Sequence, residues 1–167
     1  METTAKCPIC NNDIKITDFL YEVPYIGKVL LSVGRCSKCG FRINDIRVFE
    51  ANGPKRLMLK VEKPNDINTL IVRASSASIK IPELGLEITP GPRAQGFITT
   101  IEGVLYMFRE ITETLCREPD VNKEVCKRKL KELDDAINGK IQFTFILEDP
   151  EGASKIIHEK VIEVSLS

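Results

Sequence analysis

The sequence predicts a mainly β protein with a helical insertion, built as a small metal-held module followed by a larger β domain. Three observations predict this fold. Two Cys-x-x-Cys pairs lie near the start of the chain, short β-strand patterns separated by Pro and Gly fill most of the rest, and two helical patterns interrupt them at about residues 99–139. We place the module at residues 1–48 and the β domain at residues 49–167.

The two pairs, Cys7/Cys10 and Cys36/Cys39, predict one zinc ion bound by four thiolates. Two cysteines three residues apart on a tight turn can direct both sulfurs at one metal, and two such turns complete a tetrahedron. Four thiolates leave no open position for water or substrate, so the predicted zinc is structural. Two alternatives are a redox pair, which has no use for a second Cys-x-x-Cys, and two extracellular disulfides, which the start of the chain does not favour.

Between the two pairs, the runs Ile14–Phe19 and Val29–Val33 favour a β-hairpin, and a further strand is expected at Phe41–Phe49. This arrangement is that of a zinc ribbon. Three aromatic residues have little core to enter in so small a module, so we expect some of them to pack against the rest of the protein rather than to wait for a partner. They are Tyr21, Tyr25 and Phe41.

The β domain is predicted from short runs of β-prone residues that are separated by Pro and Gly. These runs are Leu57–Val61, Leu70–Arg73, Ser78–Ile81, Leu86–Thr89, Ile141–Leu147 and Ile156–Val164. Closely spaced short strands with such turns indicate an all-β sandwich or jelly roll rather than βαβ units.

The helical patterns predict an αα-hairpin inserted in the β domain. Thr99 and Glu102 have the spacing of a capping box, and apolar residues follow at helical intervals to about Arg117. Pro119-Asp120 separates this helix from a second one that ends at Gly139.

The other cysteines and the single histidine do not predict an active site. Cys116 and Cys126 lie near the turn of the hairpin, and we interpret them as small core residues, with a disulfide across the hairpin as the alternative. His158 lies in the last predicted strand, and no serine or cysteine nearby in the sequence forms a nucleophile–base pair with it.

The charged and glycine-bearing segments have ordinary interpretations as well. Glu148, Asp149 and Glu151 flank a Pro-Gly turn and are expected to be solvated rather than to form an acid/base pair. The loop at residues 89–96 lacks the Gly-Lys-Ser/Thr end of a phosphate loop. The basic run at residues 127–131 alternates with acidic residues and predicts a solvated helix face.

The lack of a convincing active site favours a binding protein over an enzyme, and the overall composition favours a cytoplasmic protein over a membrane protein or a dedicated nucleic-acid binder. Lys+Arg and Asp+Glu balance at 24 each, so no strong basic field is expected. No apolar run approaches the roughly 20 residues that span a bilayer. Six cysteines without an export signal suggest a reducing compartment.

Several stretches of the sequence are together far more specific than two Cys-x-x-Cys pairs. In the module they are CPIC (residues 7–10), EVPY (22–25), CSKCGFR (36–42) and NDIR (44–47). Beyond it they are VRASSASIKIPEL (72–84), ITTIEG (98–103) and FTFILEDPEG (143–152). Their combination resembles the ZPR zinc-finger family. The sequence departs from the family pattern at Ile26-Gly27, where a bulkier, often aromatic residue is expected; if that position touches a partner, the contact differs in this chain.

The resemblance implies a zinc ribbon followed by a double-stranded β-helix, or jelly-roll-like domain, that carries a helical hairpin. It also implies a role, since eukaryotic members bind translation elongation factor one-alpha and help it to fold. Those members contain two tandem modules, whereas this chain looks like the single-module archaeal form. The alternative is an RNA-binding zinc-ribbon accessory of translation, for which the electrostatic support is small: residues 1–56 carry nine Lys/Arg against six Asp/Glu.

Overall fold

The computed structural model describes residues 1–166, and the fold within that range is mainly β; Ser167, the last residue of the predicted β domain, lies outside it. The strands are β1 (Glu2–Lys6), β2 (Asp13–Val23), β3 (Gly27–Arg35), β4 (Arg42–Val48), β5 (Lys55–Val61), β6 (Leu70–Arg73), β7 (Ser78–Ile81), β8 (Leu86–Ile88), β9 (Phe97–Thr100), β10 (Phe143–Asp149), β11 (Lys155–Ile157) and β12 (Ile162–Ser165). The helices are α1 (Ile101–Leu115) and α2 (Lys123–Ile137), and short 3-10 turns occupy Pro64–Asn68 and Pro82–Leu84. The predicted fold class is confirmed.

The N-terminal part of the chain forms a four-stranded antiparallel sheet in the order β1-β2-β3-β4. β2 and β3 contain the two predicted strands and form the predicted hairpin. The sequence does not predict β1, because its five residues are all exposed and lack an apolar alternation. This segment is a strand because its backbone pairs with the edge of β2, from Glu2 opposite Thr17 to Lys6 opposite Asp13.

The β domain contains a five-stranded sheet in the order β12-β5-β10-β7-β8 and a three-stranded sheet in the order β11-β6-β9. In the central strand β10, the buried apolar residues Phe143, Phe145 and Leu147 lie opposite buried apolar residues of β5. Side chains of both sheets and of the two helices share one apolar core. The alternation in β10 and β5 therefore marks the face of the larger sheet that turns inward.

The sheet topology differs from the sequence prediction at its last strand. The predicted single strand Ile156–Val164 is wrong, because β11 pairs with β6 whereas β12 pairs with β5 in the other sheet. A turn separates them, in which the N–H of Val161 donates to the carbonyl of His158 at 3.4 Å. His158 therefore lies in this turn rather than in a strand. A change of sheet needs only a short turn, and the β-prone residues on either side conceal it.

The helical hairpin is inserted between β9 and β10, as predicted, but α1 begins one residue later than the capping pattern indicates. Thr99 is still part of β9, where it pairs with Ile71 of β6, and the hydroxyl of Thr100 accepts the N–H of Gly103 at 3.1 Å. α2 begins after Asn122, whose side chain accepts two backbone N–H groups. It ends before Gly139, the predicted stop, which has a φ of +70°.

A disulfide bond joins Cys116 and Cys126 across the turn of the hairpin. The interpretation of these cysteines as free core residues is therefore wrong, although Cys126 is buried. The end of α1 and the start of α2 bring the Cα atoms of Cys116 and Cys126 to 5.8 Å, within the range that a disulfide spans. Helical periodicity assigns each cysteine to its own helix but does not fix the distance between them, so the sequence leaves this bond undecided.

Asp149 is fully buried, which corrects the expectation of a solvated turn residue. Its carboxylate accepts the N–H of Ser154 at 2.6 Å, the N–H of Glu151 at 2.9 Å and the hydroxyl of Ser76 at 3.0 Å. Of its predicted companions, Glu151 is exposed. Glu148 is half-buried and pairs with two basic side chains of neighbouring strands. Asp149 thus holds the turn after β10 in place from the inside.

We expect Asp149→Asn to lower the free energy of unfolding at pH 7 by about 1–3 kcal/mol, because one hydrogen-bond acceptor becomes a donor in a buried site. Burial raises the pKa of Asp149, but the hydrogen bonds from Ser154, Glu151 and Ser76 outweigh it, so the net pKa lies below its ordinary value of 3.8. A depressed pKa gives stability that is present above the ordinary value and is lost as the pH falls through the folded one.

Urea unfolding measured between pH 7 and about pH 3 tests this prediction. The difference in stability between the parent and Asp149→Asn should shrink toward the acid end, where the stabilisation by the charged form of Asp149 is lost. The other carboxyl groups titrate equally in both proteins and do not contribute to this difference. A difference that stays constant over this range would contradict a charged, hydrogen-bonded Asp149. Glu151→Gln, at the exposed carboxylate of the same turn, is the matched control and should change stability by less than about 0.5 kcal/mol.

Candidate metal centre

Each Cys-x-x-Cys pair lies on a tight turn of the same kind. The N–H of Asn11 donates to the carbonyl of Cys7 at 2.9 Å, and the N–H of Gly40 donates to the carbonyl of Cys36 at 3.0 Å. Asn11 and Gly40 directly follow their pairs and have φ values of +57° and +76°. Glycine and asparagine adopt this left-handed conformation most readily, which explains their presence here.

The two turns bring the sulfur atoms of all four predicted ligands within 4.8 Å of one another. The Sγ atoms of Cys7 and Cys39 are 3.5 Å apart, as are those of Cys10 and Cys36. A tetrahedral zinc with Zn–S bonds of about 2.3 Å sets its sulfurs about 3.8 Å apart. The four cysteines are therefore arranged to bind one metal ion, consistent with a structural Zn²⁺.

The centre is packed on its inner side and open at one ligand. Cys7 and Cys36 are buried, whereas Cys39 is exposed. Ile14 is buried beside them, in a small apolar cluster that is separate from the main core. Few apolar contacts hold this end of the sheet together, so a bound metal contributes much of its stability.

Backbone N–H groups lower the pKa values of the thiols, whereas burial and, at Cys39, the neighbouring sulfurs raise them. The N–H of Cys39 lowers the pKa of Cys36 to about 6, although burial opposes it. The N–H of Phe41 lowers the pKa of Cys39, but burial and the three neighbouring cysteines raise it to about 12. Four clustered thiolates therefore need a cation to balance their charge, and a divalent metal supplies it.

A loop of the β domain holds the edge of the ribbon. The side chain of Gln95 accepts the N–H of Asn44 at 2.7 Å and donates to the carbonyl of Arg42 at 3.2 Å. This amide takes the place of a further strand at the edge of β4. The next residue is Gly96, where a Cβ atom would collide with the carbonyl of Ile46. The sequence does not predict this contact, because residues so far apart leave no local pattern; Gly96 is the one signal of it.

At the tip of the β2–β3 hairpin, Ile26 is buried in the β domain. Ile26 is 0% exposed and shares the main core with Val29 and Val48. The Nζ of Lys155 donates to the carbonyl of Ile26 at 2.7 Å and lies 3.2 Å from a carboxylate oxygen of Glu50. Ile26 therefore contacts the protein's own β domain.

The expectation that some of the three aromatic residues pack holds for one of them. Phe41 packs beside the metal centre. Tyr25 is 87% exposed and Tyr21 is 52% exposed, so neither of these two packs. The ring of Tyr21 stacks on Phe19 with 6.3 Å between centroids, and Leu20 is also exposed. We call these exposed residues the hairpin surface. They are Phe19, Leu20, Tyr21 and Tyr25.

Comparison with known families finds two domains that together cover most of the chain. The ZPR1 zinc-finger domain matches residues 1–51, and the ZPR1 jelly-roll domain matches residues 65–163. The chain is similar to a ZPR1-like protein of Methanocaldococcus jannaschii, with 43% identity over 96% of this chain and 83% of the relative. It is also similar to a ZPR1-like protein of Pyrococcus horikoshii, with 36% identity over 93% of this chain and 73% of the relative.

A eukaryotic relative is longer. The zinc finger chaperone zpr1 of Schizosaccharomyces pombe is 33% identical over 87% of this chain, but the match covers only 33% of that protein. The chain thus corresponds to one part of the yeast protein and to most of the archaeal ones. Within residues 1–166, neither helix is long and apolar enough to cross a bilayer.

Proposed function

This chain belongs to the ZPR1 zinc-finger family, and from that membership we propose that it binds a translation elongation factor of the one-alpha type as a folding or assembly chaperone. We propose a non-enzymatic role in the cytoplasm. Two findings support a protein partner: the yeast relative is named a chaperone, and the family resemblance of the sequence implies a client of this type.

The observation that carries the proposal is the hairpin surface. Four large apolar residues lie within seven positions of one hairpin, and each is more than 40% exposed. Isolated exposed apolar residues are common, but an exposed stacked aromatic pair such as Phe19 and Tyr21 on one face of β2 is typical of a protein-binding site. Aromatic residues also contribute disproportionately to binding energy when a partner covers them.

The metal centre and the buried tip give this surface a fixed orientation. The four-cysteine site lies at one end of the ribbon, and Ile26 anchors the other end in the β domain. The hairpin surface lies between these two ends. A surface held at both ends loses little conformational freedom on binding, which favours affinity. In this proposal the zinc has a supporting role and takes no part in chemistry.

The proposal predicts that Tyr21→Ser weakens binding of a purified one-alpha-type elongation factor by at least tenfold, measured by calorimetry or surface plasmon resonance at moderate salt. The same variant should lower the yield of active factor when the denatured factor is refolded in its presence. Ile162→Ser is the matched control, because Ile162 is 59% exposed on β12 of the five-stranded sheet, outside the ribbon. It should bind and assist as the parent does.

Two outcomes contradict the proposal. One is a parent protein that neither binds the factor nor improves its refolding. The other is recovery of nucleic acid from a lysate in a steeply salt-dependent manner with no elongation factor, which would favour the RNA-binding alternative.

A further inference from the structure

The outer half of the helical hairpin projects from the β domain. The buried residues of α1 are Ile101, Val104, Leu105 and Phe108, all in its first half. In α2, the buried residues Leu133 and Ala136 lie near its end, and the third buried residue, Cys126, is part of the disulfide. Between Phe108 and Leu133, Cys126 is the one buried residue. The outer half therefore extends beyond the core, and its disulfide closes the end.

This projecting half carries apolar residues that no core explains. Met107, Ile111 and Leu115 recur at four-residue intervals on α1 and are 36%, 49% and 57% exposed. Such spacing sets them in one row on one helix face. Ile111 and Leu115 line a depression of about 310 Å³ together with Glu110 and Thr114. We call Met107, Ile111 and Leu115 the α1 row.

The charges around the α1 row are unequal. Arg109 is occupied, because its guanidinium lies 2.7 Å from Asp134 and 2.6 Å from Glu113. Glu110, at the rim of the depression, forms no ion pair with another residue in the range 1–166. The rim therefore presents a free carboxylate beside an apolar row. A basic group of a partner complements it.

We infer that the α1 row docks an amphipathic helix of the client protein, whose apolar residues cover Ile111 and Leu115 and whose Lys or Arg pairs with Glu110. The inference rests on the proposed function in that the chain binds a protein client. A row at four-residue spacing is a ridge that packs into the groove of another helix. A second copy of this chain is a poorer occupant, because pairing α1 with α1 about Ile111 brings two Glu110 carboxylates together.

Two synthetic helical peptides test the chemistry directly. One peptide is an amphipathic helix with leucine on one face and lysine on the other. The second peptide has glutamate in place of each lysine. Fluorescence anisotropy with the parent should show at least tenfold tighter binding of the lysine peptide, and Glu110→Gln should reduce that preference. The double variant Ile111→Ser/Leu115→Ser should weaken binding at least tenfold, whereas Ile162→Ser, at an exposed residue of β12, should not.

Several results would overturn the inference: equal binding of the two peptides, unchanged binding by the double variant, or dimerisation of the parent that the double variant abolishes. Because the substituted side chains are exposed, circular dichroism should confirm that each variant is folded. The elongation factor separates this inference from the proposed function. If the parent binds the factor and the double variant binds it equally well, the α1 row is excluded and the function stands. If the parent fails to bind the factor but shows the peptide preferences above, the docking face stands and the proposed client is wrong.

Discussion

Replacing Cys36 with serine should reduce the zinc content of the purified protein from about one ion per chain to nearly none. A serine hydroxyl is a poor zinc ligand because it is not deprotonated at neutral pH. Cys36 is also buried, so no other side chain can readily take its position. Binding of a structural zinc supplies about 10–16 kcal/mol in isolated zinc-finger peptides at pH 7, so its loss outweighs the few contacts of the small apolar cluster around Ile14.

The loss of the metal should unfold one end of the ribbon and spare the rest. Near the metal, the core consists of Ile14 and the buried cysteines, whereas Val29 and Val48 belong to the main core. Amide hydrogen exchange of the variant should therefore speed up around the two Cys-x-x-Cys turns, and β10 should keep its protection. Adding a strong chelator to the parent should give the same pattern.

The matched control is the double variant Cys116→Ser/Cys126→Ser. It removes two cysteines from the same chain but leaves the four clustered thiols untouched. This protein should keep its zinc and should lose only the stability that the disulfide contributes, which is up to about 3 kcal/mol for a loop of this length. Full zinc retention by Cys36→Ser, measured by mass spectrometry or colorimetric assay, would refute the assignment of Cys36 as a ligand.

The features predicted well from the sequence are those with a local signature. Cys-x-x-Cys requires only that a short turn aim two sulfurs together, and the residues that make the turn, Asn11 and Gly40, directly follow the cysteines. The helical hairpin is similar, because its apolar spacing and its Gly139 stop lie within the segment itself. Burial in β10 also follows from its own alternation.

The features that the sequence did not predict depend on residues far apart in the chain. β1 is a strand only because β2 offers it an edge. Asp149 reads as a turn residue, and its burial follows from how Ser76, 73 positions earlier, approaches it. The contact of Gln95 with β4 joins residues 51 and 53 positions apart. No periodic pattern encodes such pairings, so they become visible only in the folded chain.

Ile26→Ala should lower the free energy of unfolding of the zinc-loaded protein by about 2–5 kcal/mol, the range for removing a large aliphatic side chain from a packed core. Ile26 is 0% exposed and joins the ribbon to the core of the β domain. The carbonyl that accepts the Lys155 ammonium belongs to the same residue, so a shift of the backbone would also disturb that hydrogen bond. Denaturant unfolding with zinc present in excess measures the effect without a contribution from metal loss.

Tyr25→Ala is the control, because Tyr25 is the neighbouring residue and is 87% exposed. Tyr25 has a φ of +65°, and alanine meets the same backbone constraint there, so the strain of this conformation cancels in the comparison. Tyr25→Ala should change the stability by less than about 0.5 kcal/mol. If both variants were equally stable, the tip of the hairpin would not be part of the core. A large effect at Ile26 alone would instead establish that this residue serves the fold, and that the exposed side chain beside it is free to serve recognition.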